Sequence, residues 1–216
     1  MNKLPFSVYD FFAYLSSGIL LILSTDYAVQ SGRLLGSNLK LLDGSFLTII
    51  AYIVGQIAAG PSAWLLERNV IGKWLGRPNT NLFRRTGGYK QRLFPGYYTP
   101  LPESTQKRIR ERAKSHGVHD PGEALFLHAF GKMKQHEGTL ARLNSFLSLY
   151  GFCRNMSFAL LIVSLLFSFS WLVQQDVGLL KWASVAILGS AGMFYRYLKF
   201  LRQYSYELFV SYAEYE

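Results

Sequence analysis

A chain of 216 residues with 50% hydrophobic and 16% aromatic content is long enough for one compact soluble core, so composition alone does not separate a soluble domain from a membrane protein. Distribution does: a mean hydropathy of +0.13 averages long charge-free runs against a polar middle, and nearly all of the +10 formal charge sits in that middle. The single cysteine, Cys153, excludes an intramolecular disulfide and fits a reducing compartment.

The first apolar segment covers about residues 4–25, with Asp10 the one charge after Leu4 and none from Phe11 to Thr25. Lys3 is a thin basic start for a secretory signal, aromatic residues crowd its beginning, and Ser24-Thr25-Asp26 is a poor cleavage site, so this segment is expected to be retained as a first span. The second, about 45–66, runs without a charge through Gly55, Gln56, Gly60 and Pro61 and ends at Glu67-Arg68. A third span is expected at about 156–173, with Trp171 suited to the lipid–water boundary, and a fourth at about 177–195, where Lys181 is near enough to the end to reach water. The short link Gln174-Gln175-Asp176 makes the last two an antiparallel hairpin. Lipid offers no partners to free backbone groups, so the expected fold is an all-α membrane protein with four transmembrane helices and a small, mainly helical basic region between helices two and three.

Four regions follow: a first helix pair in 1–66, a basic region 67–151, a second helix pair in 152–195, and an amphipathic C-terminal helix 196–216. Residues 67–151 hold fifteen Lys/Arg against six Asp/Glu, while the flanking regions nearly balance. By the positive-inside rule this region and both termini are expected in the cytoplasm, across a bacterial inner membrane. Within it, 72–102 is rich in Gly and Pro and reads as ordered loop. A charged helix is expected from Pro102-Glu103-Ser104 to about Ser115, with Gly117 as its stop. Asp120-Pro121 is the expected start of a helix to about Lys134, whose apolar face carries Leu125, Phe126, Ala129, Phe130 and Met133. A last helix is expected to start near Gly138 and run unbroken into span three.

No catalytic signature is present, and the chain is not expected to be an enzyme. His116, His119, Asp120, His128 and His136-Glu137 match no compact metal-ligand spacing, so neither metal nor cofactor is expected. Thr86-Gly87-Gly88, flanked by Arg84, Arg85, Lys90 and Arg92, reads either as an anion cradle or, with better support, as a basic loop lying on anionic lipid headgroups. Lys107, Arg108, Arg110 and Arg112 form a cationic helix face suited to a nucleotide or nucleic acid, or simply a solvated face that enforces topology. Inside the membrane, Gln56 and the serines Ser157, Ser164 and Ser168 are candidates for pore lining or for helix packing. No Asp or Glu lies well inside spans two to four, which argues against a proton-coupled carrier. Tyr197, Leu198, Leu201, Leu208 and Tyr212 on the C-terminal helix suit either an interface between copies or docking within the chain.

Four stretches carry a resemblance: Tyr9-Asp10-Phe11-Phe12; Tyr52-Ile53-Val54-Gly55-Gln56 through Leu66-Glu67-Arg68 with Gly76-Arg77-Pro78; Leu149-Tyr150-Gly151-Phe152-Cys153-Arg154-Asn155; and Arg196-Tyr197-Leu198-Lys199-Phe200. In these the chain resembles a loose group of bacterial four-span membrane proteins, some found with anti-phage defence operons. The likeness covers both membrane pairs and little of 86–145. The group often carries histidine where this chain has Gln56, which speaks against an acid–base role there. The motifs do not carry the group's activity; of two function classes, the preferred expectation is an oligomeric sensor or effector, in anti-phage defence, that perturbs or permeabilises the membrane on a cytoplasmic signal. The alternative is a non-conducting scaffold that recruits a soluble cytoplasmic partner through the basic region and C-terminal helix. The expected partners are membrane lipids, further copies of the chain, and a soluble protein or a nucleotide or nucleic-acid ligand.

Overall fold

The computed structural model describes residues 8–30, 34, 41–84, 88–119 and 122–214, and among these residues it is helical with no strand. The elements are α1 (Val8–Ala28), α2 (Leu41–Ser62), a π-helix (Ala63–Leu75), α3 (Pro78–Asn81), α4 (Tyr89–Leu93), α5 (Pro95–Tyr98), α6 (Glu103–Lys114), α7 (Glu123–Met133), α8 (Glu137–Gln174) and α9 (Val177–Glu214). Four helical stretches, Phe11–Ala28, Asp43–Asn81, Glu137–Gln174 and Val177–Glu214, are long and apolar enough to cross a membrane. The chain divides into two compact units, 1–68 with 151–197, and 69–150 with 198–216.

The first unit holds the most apolar segments, and its packing depends on small residues. A Cβ on Gly18 would stand 1.7 Å from the Ala51 carbonyl oxygen, and one on Gly55 would stand 1.9 Å from that of Tyr14. Backbone meets backbone at both points of α1 and α2, which only glycine permits. A second cluster buries Val163 and Phe167 of α8 against Leu179, Ala183 and Ala186 of α9, with Ala28 of α1. The turn between these helices is chemically specified. Gln175 takes φ +56° and its N–H donates to the Trp171 carbonyl at 2.8 Å, closing α8, and the Asp176 carboxylate accepts from the Gly178 N–H at 2.8 Å, capping α9. Large apolar side chains remain exposed around the unit, among them Phe46 at 66%, Ile57 at 69%, Phe169 at 66% and Leu188 at 73%. So many exposed apolar side chains are unfavourable in water and compatible with hydrocarbon.

The sequence suggests that the second span ends at Glu67-Arg68; helix instead continues to Leu75. Pro61 explains the change of type. It has no N–H to give and its ring crowds the preceding turn, and two residues later the chain adopts the wider π form. The Gly76 N–H donates to the Ile71 carbonyl at 2.8 Å, an i to i−5 bond that ends this segment.

The second unit has its own core. Ile109 and Ala113 of α6, Leu125, Ala129 and Met133 of α7, and Leu143 of α8 close on Leu208, Phe209 and Tyr212 of α9, with Leu82, Phe83 and Leu101 from the connecting segments. The C-terminal helix therefore docks within its own chain at Leu208 and Tyr212. The stretch 72–102 is not the plain loop suggested by its Gly and Pro content: it contains α3, α4 and α5, two of which start at a proline in the first helical turn. Tyr97 Oη donates to the Gly76 carbonyl at 2.7 Å, Tyr98 Oη to the Leu75 carbonyl at 2.8 Å, and Asn81 Nδ2 to the Gly76 carbonyl at 3.2 Å, so three side chains satisfy the open end of the π-helix. Gly117, at φ +78°, ends α6, with the Val118 N–H reaching back to the Ala113 carbonyl at 3.0 Å. The expected Asp120-Pro121 start of α7 lies outside the described residues; the residue preceding α7 is Gly122, at φ +145°.

Candidate functional site

Two groups of residues carry the functional questions, one in each unit. In the first unit, Ser157 and Ser164 are buried and face α9. Ser157 Oγ donates to the Ser190 carbonyl at 3.0 Å, Ser190 Oγ donates to the Ser157 carbonyl at 2.8 Å, and Ser164 Oγ donates to the Ala183 carbonyl at 2.9 Å. Seven residues apart, the two share one face of α8, and these bonds place that face in the seam with α9 of the same chain, where they serve helix packing. Ser168 is half-buried. Gln56, also half-buried, donates through Nε2 to Tyr52 Oη one turn earlier at 2.9 Å. That bond partly satisfies an amide in an otherwise apolar segment.

An ion pair not anticipated from the sequence lies in the same unit. Arg154 Nη1 is 2.6 Å from Glu67 Oε2, with Arg154 only 14% exposed and Glu67 45% exposed. Ser62 Oγ donates to the Arg154 carbonyl at 3.3 Å, so the end of α2 and the start of the π-helix are fastened twice to α8. Glu67, the one acidic residue at the end of a long charge-free run, was the available signal.

In the second unit the cations of α6 separate into two sets. Ile109 and Ala113 fix which face is buried, and Arg112 flanks that face: its Nη1 donates to the Tyr212 carbonyl at 2.9 Å and its guanidinium lies 5.5 Å from the Tyr212 ring centre. Arg110 lies over Phe83 at 5.8 Å and reaches the Phe83 carbonyl at 3.4 Å. Lys107 and Arg108 are exposed, and Lys107 is 3.8 Å from Glu111. A shallow groove along this face is lined by Glu103, Gln106, Lys107, Arg110, Glu111 and Lys114. Two of the four expected α6 cations are thus partly engaged in holding the unit together, and Lys107 and Arg108, joined by Lys114, remain turned to solvent.

Of the cations around the glycine pair, Arg84 and Arg92 are exposed, and Arg85, Thr86 and Gly87 lie outside the described residues, as does any anion cradle they would form. Lys90 Nζ donates to the Trp74 carbonyl and stands 5.9 Å from the centre of its ring.

Two histidines meet beside the C-terminal helix. The rings of His116 and His128 are 5.1 Å apart, and His128 lies 5.7 Å from Tyr212, edge to face. Burial, then the charges of His116 and Lys132, hold the His128 imidazole below its ordinary range. Its Nε2 is buried without a hydrogen-bond partner among the described residues. Among those residues no three His, Cys, Asp or Glu side chains gather as a metal site would require.

No family model, no curated protein and no solved structure matches this chain.

Proposed function

We propose that this chain is a multi-pass protein of the bacterial inner membrane, with both termini cytoplasmic, that acts as a scaffold. In this reading the first unit anchors it, and the second collects an anionic cytoplasmic ligand, a nucleotide, a nucleic acid or an acidic protein surface, in the service of anti-phage defence. The observation that carries this reading is the asymmetry of α6, where Lys107, Arg108 and Lys114 are exposed on a helix whose other side is locked by Ile109, Ala113 and Arg112. Exposed cations on a helix anchored by its buried face, with Glu103 and Glu111 among them, favour binding over catalysis. The serine hydroxyls favour the same reading, because Ser157 and Ser164 are used up within the chain and contribute no polar stripe to an oligomer axis.

A second reading, an oligomer that permeabilises the membrane on a cytoplasmic signal, keeps one supporting observation: Gln56, an amide within an apolar α2. One experiment separates the two. Purified protein in liposomes is tested for dye release and for binding of a labelled oligonucleotide and of cyclic nucleotides, with wild type beside Lys107→Glu/Arg108→Glu. The scaffold reading expects salt-sensitive binding that the double variant loses, without dye release. Ligand-dependent release that Gln56→Leu abolishes would replace it with the permeabilising reading.

A further inference from the structure

Between Arg68 and Pro102 the chain has seven Lys/Arg and no Asp or Glu. In the same stretch the second unit leaves unusually large apolar groups uncovered: Trp74 is 42% exposed, Tyr89 65% and Leu93 58%. They belong together. Trp74 Nε1 donates to Tyr89 Oη at 3.4 Å, and Lys90 bonds the Trp74 carbonyl while lying 5.9 Å from its ring centre. The helical turn α4 buries none of its five residues, Tyr89, Lys90, Gln91, Arg92 and Leu93. An indole, a phenol and a leucine beside Lys90 and Arg92 are an arrangement that water does not reward, but one suited to a headgroup layer, where rings sit at the boundary and cations meet phosphate.

The source of that layer is already present in the molecule. Trp74 lies six residues beyond Arg68, the end of a segment of the first unit, whose helices are apolar enough to cross a bilayer. A lipid surface is therefore held near this patch at high effective concentration. Charge selects which lipid, since a stretch without a single carboxylate favours anionic headgroups over zwitterionic ones.

We propose that Trp74, Tyr89 and Leu93, with Lys90 and Arg92, form an interfacial anchor that seats the second unit on the anionic phospholipids of the membrane the chain crosses. The inference rests on the membrane-anchored reading but is independent of any ligand of α6. It goes beyond the expectation of a basic loop on anionic headgroups by placing the contact on an aromatic cluster, and needs none of residues 85–87.

The test uses the full chain carrying Leu93→Cys and Cys153→Ser, labelled at the introduced thiol with an environment-sensitive fluorophore and reconstituted into vesicles of phosphatidylcholine alone or mixed with phosphatidylglycerol. Insertion is checked by flotation after alkaline washing. In the mixed vesicles the probe should shift to the blue, be quenched by nitroxide on the lipid chains, and show about a fivefold smaller iodide quenching than in phosphatidylcholine alone. Adding Lys90→Glu and Arg92→Glu should restore quenching by iodide, while the same probe at Lys107→Cys stays open to iodide throughout and shows that shielding is local to the patch; an unchanged thermal unfolding transition shows that the unit remains folded. Loss of flotation would refute the membrane reading itself. Correct insertion with a Leu93→Cys probe open to iodide in both lipids would overturn only the anchor. Shielding that disappears on diluting the protein within the bilayer, or is relieved by an oligonucleotide, would overturn it in favour of a second copy or a nucleic acid.

Discussion

Ser157 and Ser190 exchange hydrogen bonds: each hydroxyl donates to the other's carbonyl, at 3.0 and 2.8 Å, and the two oxygens lie 3.4 Å apart. The pair joins α8 to α9 across a buried seam. Each carbonyl also belongs to its own helix, so removing one hydroxyl leaves no empty backbone acceptor. Alanine at either position should lower stability by about 0.6 kcal/mol, with ~1.7 kcal/mol as the upper end for such interhelical bonds in membranes. The double variant should cost less than the sum of the singles, as read by unfolding in mixed micelles.

Glycine matters more than serine in the other helix pair. Replacing Gly18 or Gly55 by alanine drives a methyl against backbone carbonyls that have no room to rotate away, at 1.7 and 1.9 Å. Each variant should lose roughly 1–3 kcal/mol or separate α1 from α2. Thermal unfolding in detergent should show both well below wild type, and Gly60→Ala, where a Cβ meets nothing within 4 Å, should change little by comparison.

Arg154→Ala leaves the half-exposed Glu67 without its cation. Because Glu67 can turn to water, the expected loss is modest, about 1 kcal/mol, and Glu67→Gln in the same chain should recover part of it. Recovery in the double variant, measured by the same unfolding assay, is the outcome that distinguishes the pair from two unrelated losses.

His128 predicts an acid sensitivity with a definite sign. Its folded-state pKa lies below the ordinary value of 6.5, so the unfolded chain takes up the proton first as pH falls. The contribution is intact above about pH 6.5 and is lost progressively as pH drops through and below it. His116 and Lys132 make a further positive charge unwelcome there. The second unit should therefore melt at lower temperature at pH 5 than at pH 7.5. His128→Gln should flatten that dependence while leaving the neutral-pH transition broadly in place.

The hydroxyls at the π-helix end give a further stability expectation. Tyr98→Phe removes the donor to the Leu75 carbonyl and should cost about 1 kcal/mol, since Asn81 Nδ2, at 3.4 Å, is a poor substitute. Amide hydrogen exchange at Gly76 and Arg77 should quicken in step.

Much of the fold was legible because helices long and apolar enough to cross a membrane announce themselves by charge-free length. Segments such as 156–173 need no partner information to be recognised, and Gly117 signalled the end of α6 by the conformation that a C-terminal cap requires. The limits of the second span were less legible: Pro61 signals interruption, yet a wider helix can absorb it and continue to Leu75. The serines show the same limit from another side. Spacing puts Ser157 and Ser164 on one face of α8, but whether that face meets a pore or a neighbour depends on the Ser190 and Ala183 carbonyls of α9. Arg154 and Glu67, 87 positions apart, carry no local sign of each other. For the α6 cations, charge was visible in the sequence, whereas the inward turn of Arg112 depends on where the C-terminal helix lies.

The placement of Leu208, Phe209 and Tyr212 in the core of the second unit has a consequence for biogenesis. The apolar faces of α6 and α7 leave the ribosome long before the residues that cover them, with the 38-residue helix α8 and most of α9, also 38 residues, in between. Until the last turns of α9 are synthesised, those faces are open to chaperones and proteases. Truncation before Leu208 would thus leave those faces uncovered, and quality-control proteases would have an apolar surface by which to recognise the chain.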